Sequence, residues 1–412
     1  MATKNLNNFF EKFLVKDTIF QNKKVLQSTY IPGEINHRDD QINHMAQILA
    51  PALKNDKPSN LFVYGKTGTG KTLVSKYMSE QMENMAKEKD LPLKIFYINC
   101  KLKKIADTEY RLIAEFARNF GKAVPPTGLP TDEVYNIFFE ALEQEEKIII
   151  LILDEVDQLV KKAGDEIIYN LTRINTELKK SQLTLIGISN NLTFANNLDP
   201  RVKSSLSEEE IVFPPYNATQ IQDILRNRAD KAFKEDILED GVIQKCAAYA
   251  AREHGDARRA LELLRVAGEL SERRNETEVS IQDIDEAEDK IERDRLIDMV
   301  KTHPKQFQAT LYPILYLGKE KGKEIYTGDI YDLYKEICEK IGLRPLTQRR
   351  VSDIIAELDM LGIINARVIS KGRFGRTREI TISLTNSIQS KIISILEQEL
   401  DFAVKQNKNK LY

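Results

Sequence analysis

The sequence contains little cysteine and little histidine. Three cysteines, Cys100, Cys246 and Cys338, stand far apart in 412 residues, and none has a ligand spacing to one of the 4 histidines. An odd number of widely spaced cysteines excludes a disulfide framework, and the lack of paired ligands excludes a zinc module. The composition therefore indicates a protein of a reducing compartment.

Long apolar segments are also missing. The longest purely aliphatic run, residues 148–153, has about a third of the length that a membrane-spanning helix needs. Residues 1–10 are polar and contain no apolar stretch of the kind found in a signal peptide. We therefore expect no membrane association and a cytoplasmic location.

Glycine and proline are too rare for a fibrous or low-complexity chain. There are 18 Gly and 13 Pro, with 42% hydrophobic and 30% charged residues, which is typical of a globular protein of two or three domains. The formal net charge is only -2, but it is unevenly distributed. Residues 301–412 contain 19 basic and 13 acidic side chains, whereas the first 300 contain 42 and 50. The C-terminal part is therefore the basic one.

Short, continuous apolar runs alternate with amphipathic stretches in the first half of the chain. The runs are residues 61–64, 95–98, 148–153 and 183–188. Such runs suit strands that are buried on both faces of a parallel sheet. The pattern predicts a doubly wound α/β domain over residues 34–214, preceded by an N-terminal extension, residues 1–33.

The pattern becomes helical after Pro214-Pro215. Apolar residues then recur at spacings of one, three or four, which predicts a small helical domain over residues 215–300. A third unit, residues 301–412, contains helices followed by two β-rich segments, 363–369 and 379–384, which a basic, Gly-containing turn joins.

A phosphate-loop pattern, G-x-x-x-x-G-K-[ST], directly follows the first apolar strand. Its residues are Gly65, Lys66, Thr67, Gly68, Thr69, Gly70, Lys71 and Thr72. The glycines let backbone N–H groups curl around phosphates at a helix N-terminus, where the helix dipole favours anions. The motif predicts that ATP or ADP binds here, with Lys71 on the β- and γ-phosphates and the Thr72 hydroxyl on Mg²⁺.

Two carboxylates, Asp154 and Glu155, follow the apolar run 148–153. Ligands of α/β proteins bind at the carboxyl ends of the strands, so both acids are expected to face the phosphate loop. We predict that Asp154 holds Mg²⁺ together with Thr72, and that Glu155 orients and partly deprotonates the attacking water. The alternative is that these acids only end a strand and cap the next helix.

Asn190 ends another apolar strand. We expect its amide to hydrogen-bond the attacking water or the γ-phosphate. The alternative is a turn former like its neighbour Asn191.

Residues 347–358 begin polar and basic and continue with an apolar stripe. This pattern predicts a helix with a buried face and a free N-terminal end, which a DNA recognition helix requires. Its candidate DNA contacts are Gln348, Arg349, Arg350 and Ser352.

The basic turn that follows carries four cations over eight residues, with Phe374 between glycines. The cations are Lys371, Arg373, Arg376 and Arg378. Neutralisation of phosphates by such a cluster supplies much of the affinity for DNA, whereas residues of the preceding helix read base edges. Solubility alone is the alternative explanation for a basic hairpin.

Together these motifs resemble the AAA+ ATPases, and within them the archaeal replication initiators related to the origin recognition complex and to the cell-division-cycle helicase loader. Besides the phosphate loop, the resemblance rests on residues 31–32, 37–38, 154–157, 187–190, 198–206, 213–216 and 255–261. It covers essentially the whole chain. It implies an α/β P-loop AAA+ parallel-sheet domain with an α-helical lid, followed by a winged helix whose wing is the basic turn.

The resemblance also implies roles for residues outside the phosphate loop. Arg258 resembles a second sensor that the lid carries onto the γ-phosphate, so that the nucleotide state sets the lid angle. Arg201 resembles an arginine finger for the site of a neighbouring subunit, with a local pair to Asp199 as the alternative. Ile31, His37 and Arg38 are expected to flank the adenine, and Tyr216 and Arg228 are further implied nucleotide contacts. The alternative for these five residues is an ordinary packing or surface role.

Residues 116–131 are similar to the initiator-specific insertion of this family, which adds a second DNA contact from the ATPase domain. The candidate contacts are Phe120, Lys122, Pro125 and Thr127. Without the family, the segment is only a Pro-rich loop between two helices.

We interpret the sequence as an ATP-dependent, nucleoid-associated replication initiator that binds double-stranded origin DNA, with slow ATP hydrolysis as a switch. The family implies two kinds of partner, the replicative helicase and other initiator subunits. Two alternatives stay open. One is a nucleotide-gated winged-helix transcription regulator, and the other is a clamp-loader-like ATPase that acts on a protein partner. The basic wing argues against the second.

Overall fold

The computed structural model describes residues 17–101, 108–321, 325–370 and 376–401. The chain forms two compact units, Met1–Ala287 and Glu288–Tyr412.

A parallel sheet lies at the centre of the first unit. Its strands are β1 (Leu61–Gly65), β2 (Leu93–Asn99), β3 (Ile148–Asp154), β4 (Gln182–Ser189) and β5 (Glu209–Phe213). They are ordered β2-β3-β4-β1-β5, and each neighbouring pair is parallel. The register pairs Asn99 with Asp154 and Asp154 with Ile188. The residues that end these strands therefore meet at one edge of the sheet.

Strand β3 shows why continuous apolar runs form the middle of this sheet. All of its residues are buried, and its side chains alternate between two cores. Ile149 and Leu151 pack into one core, and Ile150 and Ile152 pack into the other. The helices that cover the two cores are α1 (Asp39–Leu49), α2 (Lys71–Glu88), α3 (Glu109–Asn119), α4 (Thr131–Leu142), α5 (Val156–Ala163), α6 (Glu166–Arg173) and α7 (Pro200–Leu206).

A helical lid follows the sheet, and the N-terminal segment packs on it. The lid helices are α8 (Ala218–Ala232), α9 (Val242–Arg252), α10 (Ala257–Arg274) and the first part of α11 (Ile281–Thr302). Phe20 packs against Phe233 with 4.7 Å between ring centroids. Gly268 on α10 makes this possible, because a Cβ there would lie 2.6 Å from the Phe20 ring. The segment that precedes α1 is therefore part of the lid's packing.

The second unit is a winged-helix arrangement. Its further elements are α12 (Lys305–Lys321), β6 (Ile325–Tyr326), α13 (Thr327–Lys340), α14 (Gln348–Met360), β7 (Ile364–Ser370), β8 (Arg376–Ile382) and α15 (Asn386–Glu399). Strand β8 lies between β6 and β7 and is antiparallel to both. Helix α14 buries Val351, Ile355 and Leu358, the stripe that the sequence predicts. Together the two units confirm the predicted fold class.

Among the helices of the described residues, none is both long and apolar enough to cross a lipid bilayer.

Replacing Ile355 with Ala is expected to lower the free energy of unfolding by about 2–5 kcal/mol, because a fully buried side chain is lost and a cavity remains. Met360 on the same helix is 82% exposed, so Met360→Ala is the matched control and is expected to change stability by less than about 0.5 kcal/mol. Urea denaturation of both variants measures the difference. Equal effects would contradict the assignment of the buried face.

Candidate nucleotide site and nucleic-acid interface

The phosphate loop joins β1 to α2, and its conformation requires glycine at two positions. Gly68 has a φ of 73° and Gly70 a φ of 93°, which other residues rarely adopt. Space is short as well, since a Cβ at Gly70 would lie 2.8 Å from the Tyr216 hydroxyl and one at Gly68 would overlap the Asp256 carboxyl group. The loop is therefore packed directly against the start of the lid.

Lys71, the first residue of α2, is buried and donates hydrogen bonds to the carbonyl oxygens of Gly65 and Lys66, both at 2.7 Å. Burial and then the charge of Arg258 lower the pKa of Lys71 to about 8, although Asp154 partly opposes them. Burial removes the water that stabilises the ammonium charge, and a bound phosphate would stabilise that charge instead. The side chain thus fits the predicted phosphate contact.

Asp154 ends β3 and is only 3% exposed. Its Oδ2 accepts hydrogen bonds from the hydroxyls of Thr72 at 2.8 Å and Tyr97 at 2.6 Å, and its Oδ1 accepts one from the backbone N–H of Glu155 at 2.9 Å. Carboxylate and hydroxyl oxygens are hard ligands of the kind that Mg²⁺ prefers. The Thr72–Asp154 pair therefore fits a magnesium ion.

Tyr97 is a site residue that the sequence motifs do not reveal. It lies two residues before the end of β2, and the pairing of β2 with β3 brings it to Asp154. Burial and the hydrogen bond to Asp154 raise the pKa of Tyr97, so its hydroxyl stays a donor. In the sequence, the one feature that points to Tyr97 is its polar hydroxyl near the carboxyl end of a predicted strand.

Glu155 and Asn190 stand at the ends of neighbouring strands and line the same cavity as Asp154. Glu155 has a left-handed φ of 55°, and its carboxylate lies 3.7 Å from Lys101 Nζ. It precedes α5, but its side chain forms no capping hydrogen bond with that described helix. The carboxylate is therefore available to the cavity.

The cavity has a volume of about 420 Å³, within the range of small-molecule sites. The predicted nucleotide and metal contacts that line it are Ile31, Gly68, Thr69, Gly70, Lys71, Thr72, Asp154, Glu155, Asn190, Tyr216, Arg228 and Arg258. The predicted contacts that lie outside this lining are Gly65, Lys66, Thr67, His37 and Arg38.

Arg38 contacts the phosphate loop and is outside the cavity lining. It is 2% exposed and donates hydrogen bonds to the carbonyl oxygens of Thr69, His37 and Pro214, and Tyr216 packs against its guanidinium at 3.7 Å. Burial lowers the pKa of Arg38. These carbonyls hold the guanidinium within the protein, and the predicted place of Arg38 beside the adenine stays a prediction.

Two other predicted contacts hold the N-terminal segment to the lid. Arg228 donates hydrogen bonds to the carbonyl oxygens of Val25 at 2.9 Å and Tyr30 at 3.4 Å, and lies 4.6 Å from the Tyr30 ring centroid. His37 Nε2 lies 3.1 Å from Asp223 Oδ2 on α8. Because Arg228 also lines the cavity, it connects this segment to the site.

Arg258 and Arg201 occupy different surroundings. Arg258, in the first turn of α10, reaches the cavity from the lid, and the Asp256 carboxylate caps that helix. Arg201 on α7 is 73% exposed and lies 3.1 Å from Asp199 and 5.5 Å from the Tyr169 ring centroid. The local pair that the sequence left open is thus formed, on a solvent-accessible surface.

The N-terminal end of α14 faces solvent. Gln348, Arg349 and Arg350 are exposed, and Val351 begins the buried stripe. Arg350 lies 3.4 Å from Asp353, an exposed pair of the kind that contributes little to stability. The cations at this end are therefore accessible to a nucleic acid.

Arg378 joins β8 to α14. Its Nη1 donates a hydrogen bond to the carbonyl oxygen of Ser352 at 2.9 Å, so these two predicted DNA contacts lie side by side. The predicted wing contacts Lys371, Arg373 and Phe374 lie outside the described residues, and only the backbone of Arg376 is described.

Phe120 is half-buried and packs against the core of the first unit. Its ring centroid lies 4.6 Å from that of Phe96 and 6.4 Å from that of Phe138, and Lys147 Nζ lies 5.1 Å from it. The ring therefore packs against this core with part of its surface exposed, and its contact with DNA stays a prediction.

Other residues of this insertion lie on the surface, whereas Phe116, Ala117 and Val124 are buried. Pro125 and Thr127 are exposed, and the Pro125 carbonyl accepts a hydrogen bond from the Tyr110 hydroxyl at 2.9 Å. Lys122 Nζ lies 3.9 Å from Glu140. The insertion thus presents an ordered, polar surface.

Three family models match the chain in succession. They are an AAA domain over residues 54–193, a Cdc6 AAA+ ATPase-type lid domain over residues 222–289, and a CDC6 C-terminal winged-helix domain over residues 298–389.

Named relatives match nearly the whole chain. The ORC1-type DNA replication protein of Pyrococcus abyssi is 51% identical over 385 residues, 92% of this chain and 91% of the relative. The ORC1-type DNA replication protein 1 of Methanosarcina mazei is 50% identical over 387 residues, 93% of this chain and 92% of the relative. A solved structure of the Aeropyrum pernix ORC1 protein in complex with DNA has a TM-score of 0.80 and 44% identity, and the match covers 92% of this chain and 98% of that one.

The affinity of the site for nucleotide is expected to fall as the pH rises through about 8. Without a nucleotide, Lys71 loses its proton near that pH, whereas a bound phosphate raises the pKa of Lys71. Above pH 8, Lys71 must therefore take up a proton when the nucleotide binds. This requirement lowers the affinity for the nucleotide by up to about tenfold per pH unit. Titration of a fluorescent ATP analogue at a series of pH values measures this.

The Lys71→Ala variant is the control. It should bind the analogue weakly, because the phosphate contact is lost, and without the pH dependence. An affinity of the parent protein that stays constant above pH 8 would contradict the role of Lys71.

Proposed function

The chain belongs to the family of ORC1-type DNA replication proteins, and we propose that it is an ATP-dependent initiator that binds double-stranded origin DNA and helps load the replicative helicase. The family predicted from the motifs is thereby confirmed. One observation carries the proposal: a single chain holds an assembled nucleotide cavity, with Thr72 on Asp154 and Arg258 from the lid, and also a winged helix with an exposed basic start of α14.

ATP or ADP is the ligand that the cavity supports best. The backbone N–H groups of the phosphate loop and the Lys71 ammonium would hold the phosphates. Thr72 and Asp154 would hold Mg²⁺, which when bound neutralises phosphate charge. Ile31 and Arg228, from the N-terminal segment and the lid, would enclose the nucleoside end.

Hydrolysis is expected to act as a switch. Glu155 would orient and deprotonate the attacking water, and Asn190 would hold that water or the γ-phosphate. Arg258 reaches the cavity from the lid, where it would pair with the γ-phosphate. Loss of the γ-phosphate would remove this pairing and change the preferred position of the lid.

Arg201 would act on a neighbouring initiator subunit. It is exposed and outside the cavity lining of its own chain, which supports a role in the site of another subunit. Its pair with Asp199 would have to open for that contact.

DNA would be contacted by the start of α14 and by the insertion. Arg349 and Gln348 would reach base edges, while Arg350, the wing cations and Lys122 would bind phosphates. The replicative helicase and further initiator subunits are proposed as partners because of the family. The two alternative hypotheses, a transcription regulator and a clamp-loader-like ATPase, are not favoured, since the relatives that match nearly the whole chain are replication proteins.

Replacing Glu155 with Gln is expected to preserve ATP binding and to stop ATP turnover, because only the water-activating carboxylate is lost. Release of phosphate and binding of the ATP analogue are measured on the same preparation. Glu145, which is 78% exposed, provides the control variant Glu145→Gln, with parental turnover. Turnover at the parental rate in the Glu155 variant would refute the catalytic assignment.

Replacing Arg349 with Ala is expected to weaken binding to a preferred origin duplex by about 1–3 kcal/mol and binding to an unrelated duplex much less, if Arg349 reads a guanine edge. Fluorescence anisotropy with both duplexes at several salt concentrations measures this. Arg273 on the lid, 65% exposed, provides the control Arg273→Ala for the loss of one surface charge. Equal losses on the two duplexes would place Arg349 on phosphate instead.

A further inference from the structure

The hydroxyl of Tyr97 touches the one carboxylate on which the metal site depends. It donates a hydrogen bond to Asp154 Oδ2 at 2.6 Å, and the Thr72 hydroxyl donates to the same oxygen at 2.8 Å. The other oxygen, Oδ1, is held by the N–H of Glu155 at 2.9 Å. Donors on both oxygens fix the plane of the carboxyl group.

Tyr97 is itself held rigidly. The parallel register pairs it with Ile152 on β3, two residues before Asp154. Lys76 Nζ lies 4.3 Å from the centroid of its ring, which is an attractive cation–π distance. Lys76 lies one helical turn after Thr72 on α2, so the two side chains lie on the same face of that helix.

We propose that Tyr97 is a positioning residue for the magnesium ion that accompanies the nucleotide. It occupies one hydrogen-bonding direction of Oδ2 and thereby orients Asp154 toward Thr72. The inference rests on the proposed nucleotide function and deepens it, because it assigns β2 a part in a site otherwise built by the phosphate loop and β3. Partners that orient a metal-binding carboxylate typically change metal affinity about 10–100-fold when removed.

The test compares Tyr97→Phe with the parent protein, using the full chain and a fluorescent ATP analogue. In EDTA the variant should bind the analogue as the parent does, because the phosphate loop is unchanged. In a Mg²⁺ titration, the concentration that gives half of the magnesium-dependent gain in affinity should rise about 10–100-fold. A purely structural defect would weaken binding in EDTA as well.

Tyr64→Phe is the matched control. The Tyr64 hydroxyl donates a hydrogen bond to Glu210 at 3.2 Å on the neighbouring strand β5, so the variant also removes a tyrosine–carboxylate hydrogen bond, but outside the cavity lining. Its Mg²⁺ titration should match that of the parent.

Two results would overturn the inference. One is an unchanged Mg²⁺ half-saturation in Tyr97→Phe, and the other is an equal loss of affinity in EDTA and in Mg²⁺. Neither result contradicts the proposed function. That function is contradicted separately if the parent protein binds no ATP analogue or gains no affinity for it from Mg²⁺.

Discussion

A carboxylate buried at the end of a parallel strand is stable only where donors from other elements meet it. Asp154 is met by Thr72 from α2, by Tyr97 from β2 and by the N–H of Glu155. The register of the sheet brings these groups together, since it aligns the ends of β2, β3 and β4. The oxygens proposed to hold the metal are therefore positioned by the fold before any nucleotide binds.

A buried guanidinium has the corresponding role between the phosphate loop and the lid. Arg38 bonds the carbonyls of Thr69 in the loop and Pro214 at the end of the sheet domain, and packs on Tyr216. Removing a buried, hydrogen-bonded charge leaves its carbonyl partners unsatisfied, at a cost of about 1–3 kcal/mol for each group. The phosphate loop and the entry to the lid are thus held together, which is what a lid that responds to the nucleotide requires.

The sequence predicts best what depends on local spacing. The phosphate loop and the strand ends at Asp154 and Asn190 follow from continuous patterns, so this part of the cavity lining was predictable. Tyr97 was not, because its contact with Asp154 depends on a strand register. The family resemblance assigned Arg38 to the nucleotide and Phe120 to DNA. The fold adds carbonyl partners for Arg38 and the rings of Phe96 and Phe138 for Phe120, which the sequence did not predict. These long-range partners are absent from the local pattern.

The central claim is tested most directly by mapping two things in the same cells. These are the chromosomal sites that the protein occupies and the positions at which new DNA strands start. An initiator should occupy discrete sites that coincide with those start positions, and the Lys71→Ala variant should lose them if the nucleotide gates binding. Occupancy at promoters with none at the start positions would contradict the account and favour a transcription regulator.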